Sequence, residues 1–159
     1  MGRQDNVEIF EDTQRLYSSN ERLISAIKHS SAMQECFTGT GRHWYGPEHR
    51  IYQKPVRTVI SPKRTLEAAA PYAYAGKKVC VLNFASATNP GGGVIKGSSA
   101  QEEAICRCST LYPNLKAERA WEKFYAPHRR AHDPLHNDDC IYTPGVMVFK
   151  SDTDYPQLL

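Results

Sequence analysis

The chain has 159 residues, 40% of them hydrophobic, and a formal net charge of +3, which is enough apolar material for one core and too much for a disordered chain. Its apolar runs fall short of a membrane helix, and MGRQDNVEIFED lacks a signal-peptide core, so a cytoplasmic address without a membrane partner is expected. Basic residues are scattered, and the cluster PHRRAH from Pro127 to His132 reads as a solvated loop lacking aromatic interleaving, so direct nucleic-acid binding is not expected.

In chain order, Ile9, Phe10, Leu16, Tyr17, Leu23, Ile24, Ile27 and Met33 recur at helical spacing, with a break expected at Ser18-Ser19-Asn20, where short polar side chains compete for the backbone. TGTGRHWYGPEHR, from Thr38 to Arg50, is punctuated by Gly and Pro and reads as an exposed connection. Arg57 to Pro62 predicts a short strand, after which Ser61 caps a helix beginning at Pro62 and running through Ala68 to Ala70. Val79 to Phe84 is an apolar run of the kind that forms a central strand covered on both faces. Gln101 to Leu111 and Lys116 to Tyr125 read as helices, and CIYTPGVMVFKSD as one or two strands around Pro144-Gly145. Alternating elements argue for an α/β layered domain.

Five cysteines form an odd set without disulfide-framework spacing, and Cys106 and Cys108 point apart on a helix, so reduced, mostly buried thiols are expected. His128 and His132 have the four-residue step of zinc sites, but Pro134 interrupts the register before His136, and no metal site is assigned. No cofactor is expected.

The chemistry concentrates in NFASATNPGGGVIKGSSAQEEAICRCSTLYPNL, from Asn83 to Leu115. Three adjacent glycines arise by chance in roughly one chain in twenty of this length, so they decide little alone. The dinucleotide pattern fails because Lys96 stands at its third glycine, and the P-loop pattern fails because Ser98, not Lys, follows Gly97. A β-type run leading into glycines and then a helix N-terminus still has the character of a phosphate site. The bland alternative is a permissive turn, with Ser99 and Glu102 forming a capping box that ties down the helix start. That alternative leaves Glu103, about 100° further round the helix, without a task.

This segment resembles the signature of microbial-type poly(ADP-ribose) glycohydrolases, a branch of the macrodomain superfamily, in which GGG is followed after six to eight residues by QEE; here the interval is the seven residues Val94 to Ala100. The N-terminal helices with Thr13, SPKRTLEAAA, VCVLNFAS and IYTPGVMVFKSD fit the same likeness. The resemblance implies an α/β, macrodomain-like mixed sheet flanked by helices, incomplete within this chain. Residues 1–50 would be a helical accessory segment and residues 51–159 the N-terminal part of the catalytic domain. Members of the family continue beyond the strand that VMVFKSD resembles, so a complementary C-terminal chain is a conceivable partner.

The same resemblance implies hydrolysis of ribose–ribose bonds in ADP-ribose polymers carried on modified proteins. Glu103 would be the acid that protonates the leaving oxygen and then deprotonates water, and Glu102 would hold ribose hydroxyls. Gly91, Gly92, Gly93 and Val94 would line the diphosphate and distal ribose, with Gln101, Asn83 and Ser86 nearby. The alternatives are a non-catalytic ADP-ribose-binding module, which has no use for Glu103, and an inactive fragment.

Overall fold

The computed structural model describes residues 2–39, 55–133 and 138–159. The first two helices follow their apolar spacing: α1 covers Arg3–Ser19 and α2 covers Glu21–Ala32. Asn20 separates them, its side chain accepting from the N–H groups of Arg22 and Leu23, so the break is an N-cap. Phe10 on α1 is buried and meets the Tyr112 ring edge-on at 4.9 Å. It joins one core cluster with Leu66, Val94, Ile105 and Leu115.

Two polar contacts tie α1 to the middle of the chain. Asn6 Nδ2 donates to the Gly97 carbonyl at 3.0 Å, and Thr13 Oγ1 donates to the Arg107 carbonyl at 2.6 Å. A third reaches the end of the chain: the buried Lys150 Nζ donates to Asp12 Oδ2 at 2.6 Å and Thr13 Oγ1 at 2.9 Å. The Lys150 hydrogen bond is the main cause holding the Asp12 carboxyl below the usual carboxylate range. A depressed folded value adds stability above the unfolded value of about 3.9 and loses it as pH falls through the folded one. Asp12 is half exposed, so Asp12→Ala should cost about 1–2 kcal/mol at neutral pH and progressively less as pH falls through the lowered folded value, read from thermal melts in neutral and acidic buffer.

The sheet has two antiparallel strands, β1 (Glu35–Phe37) and β2 (Cys140–Tyr142), in the register Glu35 with Tyr142, Cys36 with Ile141 and Phe37 with Cys140. Isolated bridges pair Ser109 with Val148 and Lys150 with Leu158. The chain is therefore a helix-rich α/β structure with a small sheet.

Two expected strands do not form among the described residues. Residues 57–62 have no strand partner there, and neither do residues 79–84. The second stretch is partly open: Val81 packs on the core while Val79, Leu82 and Phe84 are exposed. An apolar run reports what a strand could bury, and pairing needs neighbours that the described residues do not supply. The connection expected over Thr38 to Arg50 falls largely outside the described residues.

The third helix, α3 (Thr65–Tyr74), begins three residues later than expected at Pro62. Ser61 Oγ accepts from Lys63 N–H, and the helix start is held by Glu67 Oε2, which accepts from Arg64 N–H at 3.3 Å, and by Asp152 Oδ2, which accepts from Leu66 N–H at 3.1 Å. A cap from 86 residues away cannot be read locally.

Two further helices, α4 (Gln101–Cys108) and α5 (Leu111–Leu115), follow the glycine segment. Residues 118–131 then form one helical stretch, with α6 (Glu118–Ala120) passing through a π-helical turn, Trp121–Tyr125, into α7 (Ala126–Ala131). The basic cluster expected as a loop is thus mostly helical. Cys106 and Cys108 are buried on α4, whereas Cys80 and Cys140 are exposed and Cys36 is half-buried.

Among the described residues no group of three His, Cys, Asp or Glu side chains stands where it could hold a metal, and His136 lies outside them. No described helix is long and apolar enough to cross a membrane.

Candidate active site

The glycine segment is a cage. Gly91 and Gly92 have φ of +71° and +59°, a left-handed conformation that costs a side-chain-bearing residue steric strain. Space matters as much as φ. A Cβ on Gly91 would run into the Tyr112 ring, and one on Gly92 would strike the Glu103 carboxylate and lie 3.0 Å from Glu102 Oε2. Gly93 opens a 3₁₀ turn, Val94–Lys96, which Gly97 closes at φ +74°. That turn brings the chain back to the start of α4.

Glu102 and Glu103 lie in the first turn of α4, and both are buried. Each carboxylate has one oxygen held by backbone and one without a partner. Glu102 Oε2 accepts from Ser86 N–H at 2.8 Å, and Glu103 Oε1 accepts from Gly93 N–H at 2.8 Å. Glu102 Oε1, Glu103 Oε2 and the nearby Asn83 Oδ1 are buried without a hydrogen bond. Three buried oxygens are thus left with hydrogen-bonding capacity for a bound molecule.

Burial is the main reason the Glu102 carboxyl sits above its ordinary value; the Glu103 charge adds to this, while the Ser86 and Gly91 N–H groups and the Asn83 side chain oppose it. The capping box considered from the sequence does not form. Ala100, not Ser99, occupies the N-cap, with no side-chain cap, because the Glu102 carboxylate is drawn to Ser86.

The other residues singled out from the sequence fall into distinct places. Gln101 bridges the extended stretch: its Nε2 donates to Leu82 O at 2.8 Å and its Oε1 accepts from Phe84 N–H at 2.7 Å. It thus stands in for a strand neighbour beside Asn83. Ser86 Oγ accepts from Asn89 N–H at 3.0 Å, fixing the turn that leads into the glycines. The Val94 side chain is in the core and its N–H bonds the Gly91 carbonyl. Gly92 N–H bonds the Asn89 carbonyl. The Gly93 N–H, by contrast, is turned inward onto the Glu103 carboxylate.

Four residues that the sequence reading passed over complete the surroundings. Arg107, one helical turn beyond Glu103, is buried and donates to the Ser98 carbonyl at 2.6 Å, placing a fixed cation behind the acid. The four-residue interval from Glu103 was the available signal. Tyr125, in the π turn, is fully buried; its hydroxyl has no partner and its titration is raised, chiefly by burial and next by the Glu102 charge. Single π turns recur at functional sites. Tyr112 underlies Gly91. Arg129 clamps the approach to the loop, donating to Thr88 O at 2.8 Å and Asn89 Oδ1 at 2.6 Å, with its guanidinium 5.0 Å from the Trp121 ring centre. Outside the cage runs an open groove of about 730 Å³, bounded by the glycine loop on one side and by Tyr112, Lys116 and Trp121 on the other.

This helix-rich fold with a small sheet is similar to that of solved poly(ADP-ribose) glycohydrolases. The enzyme from Thermomonospora curvata is similar at a TM-score of 0.77 and 30% identity over 98% of this chain and 62% of its own. The same enzyme bound to the inhibitor ADP-HPD gives 0.76 and 29%, over 98% and 60%. The Deinococcus radiodurans enzyme in complex with ADP-ribose gives 0.68 and 32%, over 84% and 52%. The family described as microbial-type PARG, catalytic domain, matches residues 4–151, and the chain belongs to it. It spans about three fifths of the length of the Thermomonospora structures. No curated protein sequence matches the chain.

Proposed function

We propose that this chain hydrolyses the ribose–ribose O-glycosidic bond of ADP-ribose polymers, releasing ADP-ribose. The observation that supports this reading is the pair of caged acids, each with one oxygen fixed by a backbone N–H and the other buried and unpaired. Glu102 Oε1 and Asn83 Oδ1 would accept from the ribose hydroxyls. Glu103 would protonate the leaving oxygen from Oε2, since Oε1 is occupied by Gly93 N–H. The C–O bond breaks as the anomeric carbon becomes cation-like, and Glu103 then takes a proton from the water that adds there. Arg107 holds the backbone behind the acid in place.

A complementary chain is part of the same proposal, with the exposed Leu82 and Phe84 face as the surface it would cover. Incubation with poly(ADP-ribose) and chromatography of the products tests the reading. Release of monomeric ADP-ribose is the expected outcome. Binding of ADP-ribose without release would make the chain a non-catalytic module, and neither binding nor release would overturn the assignment.

A further inference from the structure

The groove outside the glycine cage has features that the caged acids do not account for. Ser86 and Gly93 belong both to the groove wall and to the holding of Glu102 and Glu103, so the groove adjoins the reacting centre. Its remaining walls carry two lysines and two aromatic rings: Lys96 is the last residue of the 3₁₀ turn, while Tyr112, Lys116 and Trp121 come from α5 and the residues after it. No acid lines it. Neither ammonium makes a salt bridge among the described residues; Lys116 Nζ lies 5.6 Å from the Tyr112 ring centre. The two walls are fastened together by Arg129, which spans Thr88, Asn89 and Trp121. This is a braced, positively charged slot, opening beside the acid that would protonate a leaving group.

We infer that this groove binds the polymer unit on the leaving side of the scissile bond, with Lys96 and Lys116 engaging its diphosphate. The inference rests on the glycohydrolase reading, in which the oxygen protonated by Glu103 belongs to a ribose bearing a diphosphate of its own. That second diphosphate needs cations outside the cage, since the Gly93 N–H is taken by Glu103 and those of Gly92 and Val94 by backbone carbonyls. Two exposed lysines satisfy an anion as point charges. The walls of Tyr112 and Trp121 give the attached nucleoside an apolar surface.

The test compares affinity for an ADP-ribose dimer with that for monomeric ADP-ribose, every arm carrying Glu103→Gln so that the dimer survives. The dimer should bind more tightly than the monomer. Lys96→Ala with Lys116→Ala should reduce that advantage about fivefold to tenfold and leave monomer affinity unchanged, as expected from two exposed charge contacts. Lys96→Arg with Lys116→Arg should retain it, and added salt should erode it in the parent background. Equal affinities for dimer and monomer, or an advantage untouched by the double alanine change, would overturn the subsite and leave the glycohydrolase reading standing. Failure to bind either ligand would overturn both.

Discussion

Glu103→Gln is expected to slow ADP-ribose release from polymer by about 100- to 10,000-fold while leaving ADP-ribose affinity within about threefold. The amide keeps the volume of the side chain and an oxygen to accept from Gly93 N–H, the contact that positions the acid. It cannot give up a proton and take one back. Glu102→Gln should behave differently, weakening binding and turnover together, because its proposed role is to accept from ribose hydroxyls.

A stability readout separates the two variants further. Burial raises the Glu102 carboxyl in the folded chain, so its contribution to stability is present below the unfolded value of about 4.3 and is lost as pH rises through the folded one. Glu102→Gln removes that loss, and its melting temperature should fall less than the parent's as pH is raised from about 4. Single-turnover release measured beside an ADP-ribose binding isotherm decides the main point. Parental release by Glu103→Gln would remove Glu103 from the chemistry.

Gly92→Val should abolish both ADP-ribose binding and release, and lower stability by about 2 kcal/mol, or about 4–8 °C in melting temperature. Two causes act at once: a β-branched residue at φ +59°, and a Cβ placed among Glu103 Oε1, Glu102 Oε2 and Glu103 Cδ. Gly76→Ala separates them, because Gly76 has φ +70° with nothing within 4 Å of an added Cβ. It should cost about 1 kcal/mol from backbone strain alone and leave binding unchanged. Melting curves and calorimetric titration of both variants make the comparison. Undiminished ADP-ribose binding by Gly92→Val would show that the cage does not shape the ligand site.

The glycines were conspicuous in the sequence, but their task was not. Strand, glycines and helix start suggested N–H groups aimed at a phosphate, whereas the Gly93 N–H is turned onto Glu103, ten residues later. Backbone direction depends on the φ values at Gly91 and Gly92, which composition does not encode. Helices α1 and α2 were readable because apolar periodicity and Asn20 are local signals. The stretch from Val79 to Phe84 misled because an apolar run states what it could bury and not whether a neighbour is there. Only its alternation in the structure, Val81 inward with Leu82 and Phe84 outward, shows that one face is covered. Arg129 was hidden by the π turn, which inserts an extra residue into the helical repeat and blurs the pattern around PHRRAH. Long-range contacts such as Asp152 on α3 leave no trace in a local window.

The unequal burial of the cysteines sorts them by reactivity. Burial keeps the Cys106 thiol well above its ordinary range and pushes Cys108 up to about 12, so at neutral pH neither supplies the thiolate that alkylating reagents consume. The accessible thiols are Cys80 and Cys140. Cys80 stands three residues before Asn83, on the ribbon that Gln101 clips to the head of α4. With Cys140 replaced by Ser, a maleimide fluorophore would settle on Cys80, placing an optical reporter at the edge of the acid cage without adding a residue to the chain.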